Sequence, residues 1–108
     1  MRVAVAAVAL QAFVASAALA QDQVAKGEAV YTAQKCALCH SIGDKGNKKG
    51  PLDGVGAKYS VADLRLWMTD AKAMTAKTKS TRKPEMKSYT LAKEDLDALV
   101  AYMASLKK

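Results

Sequence analysis

The chain has 108 residues, 51% hydrophobic and 25% charged, with 17 Lys and Arg against 10 Asp and Glu for a formal net charge of +7. That length holds one small domain and excludes most multidomain enzymes. Two cysteines and a single histidine exclude a cystine-rich scaffold, and they exclude a four-ligand Cys/His zinc site made from those side chains alone. In chain order, Met1-Arg2 comes first, then an uncharged run from Val3 to Ala18, then Ala18-Leu19-Ala20. This order of cation, apolar run and small residues predicts a secretory signal over residues 1–20, cleaved between Ala20 and Gln21. An uncleaved anchor from Val3 to Ala20 would be short for a membrane span and mostly alanine. Cleavage leaves one domain, residues 21–108, with a net charge of +6 and no membrane span. A domain of that size has a thin core and calls for a staple: a metal, a cofactor or disulfides.

Three segments predict helix. The first runs from about Val24 to Gln34, with Val24, Gly27, Val30 and Tyr31 along one side. The second runs from about Val61 to Asp70, where Ser60 and Asp63 resemble a capping box and Val61, Leu64, Trp67 and Met68 share a face. The third, about Lys93 to Leu106, places Leu96, Leu99, Val100, Met103 and Leu106 at helical spacing. Gly43 to Gly56, with five glycines and Pro51, reads as irregular loop, as does the basic stretch Ala71 to Tyr89, broken by Pro84. No segment carries a strand pattern. The expectation is an all-α domain whose long loops hold something.

What they hold is indicated by Cys36-Ala37-Leu38-Cys39-His40, which gathers both cysteines and the lone histidine into five residues. C-x-x-C-H is the attachment signature of c-type haem. On a helical turn, two thiols at this spacing reach the two vinyl groups on one porphyrin edge, and the adjacent imidazole comes under the iron. A thioredoxin-like redox motif would need a βαβ setting, which the chain lacks. A Cys36–Cys39 disulfide would close a tiny loop and leave His40 unexplained, and a zinc site would want two more ligands. With no second histidine, the distal candidates are Met68, Met74, Met86 and Met103. Met68 and Met103 lie on apolar helix faces and read as core. Met86, two residues after Pro84 in a loop, is the expected distal ligand, with Met74 as the alternative.

These features resemble those of class I c-type cytochromes. The resemblance covers most of Gln21 to Lys108 and is carried by the Cys36–His40 motif, Gly50-Pro51-Leu52, Lys83-Pro84-Glu85-Met86 and Leu96-Asp97-Ala98-Leu99-Val100-Ala101-Tyr102. It implies a cytochrome c-like fold of three to five helices wrapped around one covalently bound haem c. It further implies a Pro51 carbonyl accepting a hydrogen bond from His40, and first and last helices crossing through Gly27 and Tyr31 against Leu99 and Tyr102. Tyr89 and Trp67 are implied candidates for haem-pocket or propionate contacts, with ordinary core packing the equal alternative. Many relatives place proline directly after the methionine; Lys87 stands there in this chain.

The expected function is periplasmic transfer of single electrons between redox enzymes, or as the electron-transfer subunit of one, with no catalytic residue of its own. The competing expectation is a haem enzyme or gas-binding protein with an open distal site. Lys45, Lys48, Lys49, Lys77, Lys79, Arg82, Lys83 and Lys87 flank the two ligand segments. They are expected to steer docking to acidic patches on periplasmic redox enzymes or membrane oxidases and reductases. The alternative is a lysine-rich surface that merely keeps the protein soluble.

Overall fold

The computed structural model describes residues 19–108; of the expected signal, residues 1–18 lie outside the described residues. Helix α1 occupies residues 19–33, and the expected cleavage point falls inside it. It ends where Lys35 turns left-handed (φ 58°), which reverses the chain into a 3-10 turn at Cys36–Leu38. A small antiparallel hairpin follows, β1 (Ser41–Ile42) with β2 (Lys45–Gly46), pairing Ser41 with Gly46 and Ile42 with Lys45. Then come α2 (Val55–Lys58), α3 (Val61–Thr69), α4 (Ala71–Thr78), an extended segment over 79–92, and α5 (Lys93–Ser105).

The three expected helices are present with ends shifted by a few residues, and three further elements are corrections. The hairpin lies in the expected loop 43–56 and just ahead of it, and its two-residue strands are too short to leave an alternating pattern. Helix α2 occupies the end of that loop. Helix α4 occupies part of the expected loop 71–89, where only Ala71 and Met74 are buried, so no apolar stripe announces it. Asp70 makes both helix ends at once. Its N–H donates to the Leu66 carbonyl to close α3, and its carboxylate accepts from Ala73 N–H to open α4. Helix α4 closes with Lys79 in the left-handed region (φ 55°), Lys79 N–H reaching Ala76 and Ser80 N–H reaching Thr75. This is the paired-bond C-terminal motif usually made with glycine. Ser60 caps α3 as expected, its hydroxyl accepting from Asp63 N–H at 3.1 Å. Helix α5 starts at Ala92 with no side-chain cap.

The core joins α1, α3 and α5 through Val30, Tyr31, Leu64, Met68, Leu99, Val100 and Met103. Helices α1 and α5 meet at Gly27, where a Cβ would overlap the Ala98 carbonyl and Tyr102 Cβ, so only glycine lets the backbones come this close. Above that contact, the Tyr31 and Tyr102 rings meet edge to face at 5.8 Å. Helix α2 is drawn onto the end of α5 by Gly56 N–H donating to the Leu106 carbonyl at 2.8 Å. Arg65 on α3 pairs with Asp97 on α5 at 2.6 Å. The result is a frame of helices with one open side.

Candidate functional site

That open side is a cavity of about 590 Å³, within the range of a site that encloses a cofactor-sized ligand. Cys36, Cys39, His40 and the Gly50-Pro51-Leu52 loop form one wall. Tyr31, Tyr59, Leu64, Trp67, Met68, Leu99 and Met103 line the cavity as well. The segment carrying Arg82, Pro84, Met86 and Tyr89 completes the enclosure.

The Cys36–His40 wall is made locally. Cys39 N–H and His40 N–H both donate to the Cys36 carbonyl, at 3.1 and 3.0 Å, which folds the motif into a single turn. Both thiols are free, Cys36 half-buried and Cys39 exposed. Asn47 clamps the turn from outside. Its N–H reaches the Ala37 and His40 carbonyls at 3.1 and 2.9 Å, and its side-chain amide donates to the Leu38 carbonyl at 3.1 Å. Sequence reasoning missed Asn47; the Gly46-Asn47 pair after a glycine-rich turn was the only signal for it.

His40 Nδ1 lies 3.0 Å from the Gly50 carbonyl. A carbonyl only accepts, so Nδ1 carries the proton and Nε2 keeps its lone pair. The expected acceptor was the Pro51 carbonyl, and this is a correction by one residue. Pro51 lines the cavity and bridges to Ser41, while the Gly50 carbonyl takes bonds from both His40 and Ser41 N–H. The peptide ahead of the proline is thus the one turned toward the ring. Burial pushes the His40 ring below its ordinary value; the Gly50 bond opposes this and the Arg82 cation adds to it. The ring is neutral at pH 7, the form that ligates a metal.

The remaining lining is assembled from afar. Met86 is half-buried, packs on the core and lines the cavity. Met68 and Met103 line it too, from within α3 and α5. Met74 is 1% exposed on α4 and does not reach the cavity lining. Trp67 and Tyr89 both line the cavity, so the structure brings every expected site residue to one place. Tyr31, Tyr59 and Arg82 join them there, and nothing in the sequence singled them out for this wall.

Two buried polar atoms, Trp67 Nε1 and Tyr31 Oη, have no hydrogen-bond partner among the described residues. Both belong to residues that line the cavity. Buried donors left unpaired are costly, so their presence fits a ligand that brings acceptors. Burial also raises the Tyr31 hydroxyl to about 12, with Cys36, Tyr102 and Asp53 adding to it, so it stays a neutral donor. Among the described residues no three His, Cys, Asp or Glu side chains gather to hold a metal. The free thiols, the neutral imidazole, the thioether and the unpaired donors fit a haem.

Among the described residues no helix is long and apolar enough to cross a membrane. A sequence model of the cytochrome c family matches residues 24–107. Cytochrome c oxidase subunit 2 of Alkalihalophilus pseudofirmus is 28% identical over 91 residues, which cover 76% of this chain and 25% of that protein. The chain thus spans about a quarter of that relative's length. No solved structure matches.

Proposed function

Since this chain belongs to the cytochrome c family, we propose that it carries single electrons in the periplasm on one covalently attached haem c. Cys36 and Cys39 form the thioethers, His40 is the proximal iron ligand and Met86 the distal one. A cytochrome c domain serves haem-based electron transfer, and its fold is that of the family. The observation that carries the finer reading is the cavity itself. It brings the Cys36–His40 turn and Met86 onto one enclosed space although 46 positions separate His40 from Met86.

Bound haem supplies an iron that gains and loses one electron; the chain's residues decide how. His40 offers Nε2 because Gly50 holds the proton on Nδ1, a bond that orients the ring and raises its basicity. Met86 would hold the iron from the other side through its thioether, leaving a bound haem to electron transfer. A thioether also raises the reduction potential relative to a second imidazole. Leu64, Leu99 and Met103 exclude water, and their low polarity disfavours the extra positive charge of the ferric state. Trp67 Nε1 and Tyr31 Oη would offer their unpaired donors to acceptors of the bound group. Tyr89 lines the same cavity. The likeness to one quarter of an oxidase subunit supports delivery to, or service within, a terminal oxidase.

Docking to acidic patches on periplasmic redox enzymes or on membrane oxidases and reductases rests on Lys45, Lys49 and Lys79, exposed and without an ion pair among the described residues. Lys77 and Lys83 are engaged by Asp63 and Glu85. Such complexes are transient and the carrier monomeric, with encounter rates that fall as salt rises.

The test is the ferric spectrum of the exported protein. A far-red sulfur-to-iron absorption that disappears in Met86→Ala is expected, with haem that stays on the chain after denaturation. High-spin ferric iron and rapid carbon monoxide binding by the native ferrous protein would overturn the reading.

A further inference from the structure

Met86 lies in the segment over 79–92, which has no helix or strand of its own. Downstream of Met86 the segment is tied to the helical frame at two points. Tyr89 N–H donates to the Met68 carbonyl at 2.7 Å, and the Ser88 hydroxyl accepts from Ala71 N–H at 2.9 Å. Upstream of Met86, Arg82 makes the tie, and it goes to the Cys36–His40 turn: its Nη2 donates to the Cys39 carbonyl. The guanidinium lies in a slot that exists because residue 50 is glycine. A Cβ there would overlap Arg82 Nη1 and Cζ and the Cys39 carbonyl. The Gly50 carbonyl in turn holds His40 Nδ1.

Arg82 is half-buried, lines the cavity and makes no ion pair among the described residues. Among the cations flanking the two ligand segments, its guanidinium turns inward onto the Cys39 carbonyl. We infer that Arg82 is a positioning residue that latches the Met86 segment to the haem-attachment loop and so sets how readily an external ligand displaces Met86. The inference rests on the His40/Met86 reading above.

The chemistry suits arginine in particular. A planar guanidinium fits flat over a glycine and donates to a carbonyl with fixed geometry, whereas an ammonium is a compact point charge on a flexible stem. A charged donor on a carbonyl makes a stronger bond than a neutral one. Opening the Met86 segment breaks that bond, so the latch opposes displacement of the thioether. With Arg82 on one side and Ser88–Tyr89 on the other, Met86 is held from both directions. Loss of the upstream tie leaves it hinged on the downstream one alone.

The experiment titrates the ferric holoprotein with imidazole and follows loss of the far-red sulfur-to-iron absorption. Arg82→Gln is expected to bind imidazole about tenfold more tightly than the wild type, equivalent to ~1.4 kcal/mol. Arg82→Lys is expected between the two, and Lys83→Gln, which loses only an exposed pair with Glu85, is expected to match the wild type. An R82Q affinity within twofold of wild type overturns the inference, even if its global unfolding midpoint falls. An equal shift in K83Q overturns it too. Should R82Q carry no haem, R82K decides: a threefold tightening supports the latch, and no tightening removes it. A wild-type protein without the far-red absorption overturns the ligand reading, and the inference with it. A wild type that shows the absorption beside an unaffected R82Q sinks the latch alone.

Discussion

The two walls that would face the haem's two sides are built in opposite ways. The attachment loop, from Cys36 to Leu52, is knitted by bonds between near neighbours: Cys36 to His40, Asn47 to Ala37, Leu38 and His40, and Gly50 to Ser41 and His40. The segment over 79–92 is pinned by single bonds to distant parts of the chain, at Cys39, Met68 and Ala71. Local bonds form cheaply because little chain must be ordered to close them. Long-range ones depend on a frame that is already folded. The proximal wall is therefore expected to stand by itself as a rigid cradle, and the distal wall to be the part that yields first.

The sharpest way to break that comparison is His40→Ala. Removing the only imidazole should leave little folded holoprotein, read as the yield of chain-bound haem after export. Normal accumulation with native spectra would mean that the proximal wall is not what anchors the iron.

Gly27→Val strikes the frame on which the distal wall depends. The added side chain meets the Ala98 carbonyl and Tyr102, a backbone contact that cannot give way easily. The expected loss is ~3 kcal/mol in denaturant unfolding. A near-neutral result would show that α1 and α5 slide apart at no cost.

A matched pair sharpens the contrast further. Asn47→Ala removes the amide bond to Leu38 and the acceptor for Lys49 N–H, and should cost about 1–2 kcal/mol while leaving the far-red absorption intact. Ser88→Ala removes the acceptor of Ala71 N–H and should cost about 1 kcal/mol, with the far-red absorption lost at lower imidazole. If both variants move the distal ligand equally, the two walls are one mechanical unit and the comparison fails.

The smallest effect concerns acid. Bonds from Arg65 and Lys93 hold the Asp97 carboxyl below its ordinary value. A carboxyl depressed by folding stabilises the protein above its unfolded value, and that contribution is lost as pH falls through the lower, folded one. Stability should thus decline as pH drops below the ordinary carboxylate range. Arg65→Gln should flatten that part of the profile, measured by unfolding midpoints across pH. An unchanged acid slope in R65Q would show that the α3–α5 pair contributes nothing.

The helices with wide apolar faces were legible in the sequence, because their burial imposes a period on the residues. Helix α4 was not, since it buries only Ala71 and Met74 and owes its start to the Asp70 cap. The hairpin was invisible for a similar reason: its pairing is a backbone event around Gly43, which sits at φ 59°. Within the site, Cys36, Cys39 and His40 could be read directly. Gly50 as the acceptor for His40, and Asn47 as the clamp, could not, because hydrogen-bond direction follows from how the loop turns and not from which residues it contains.

The sequence by itself determined the chemistry on offer at the Cys36–His40 turn. Two thiols and an imidazole at C-x-x-C-H spacing are brought together by one turn of backbone, whatever the remaining chain does. It also determined a mostly helical fold around that turn. Only the tertiary structure decided what joins that turn around the cavity: Met86 and not Met74 in its lining, Trp67 and Tyr31 with unpaired donors, and Arg82 folded onto the Cys39 carbonyl. Arg82 and Met86 lie more than forty positions beyond that turn. Contacts across such separations are set by how α1, α3 and α5 pack, since packing alone fixes where the ends of the long segments come to rest.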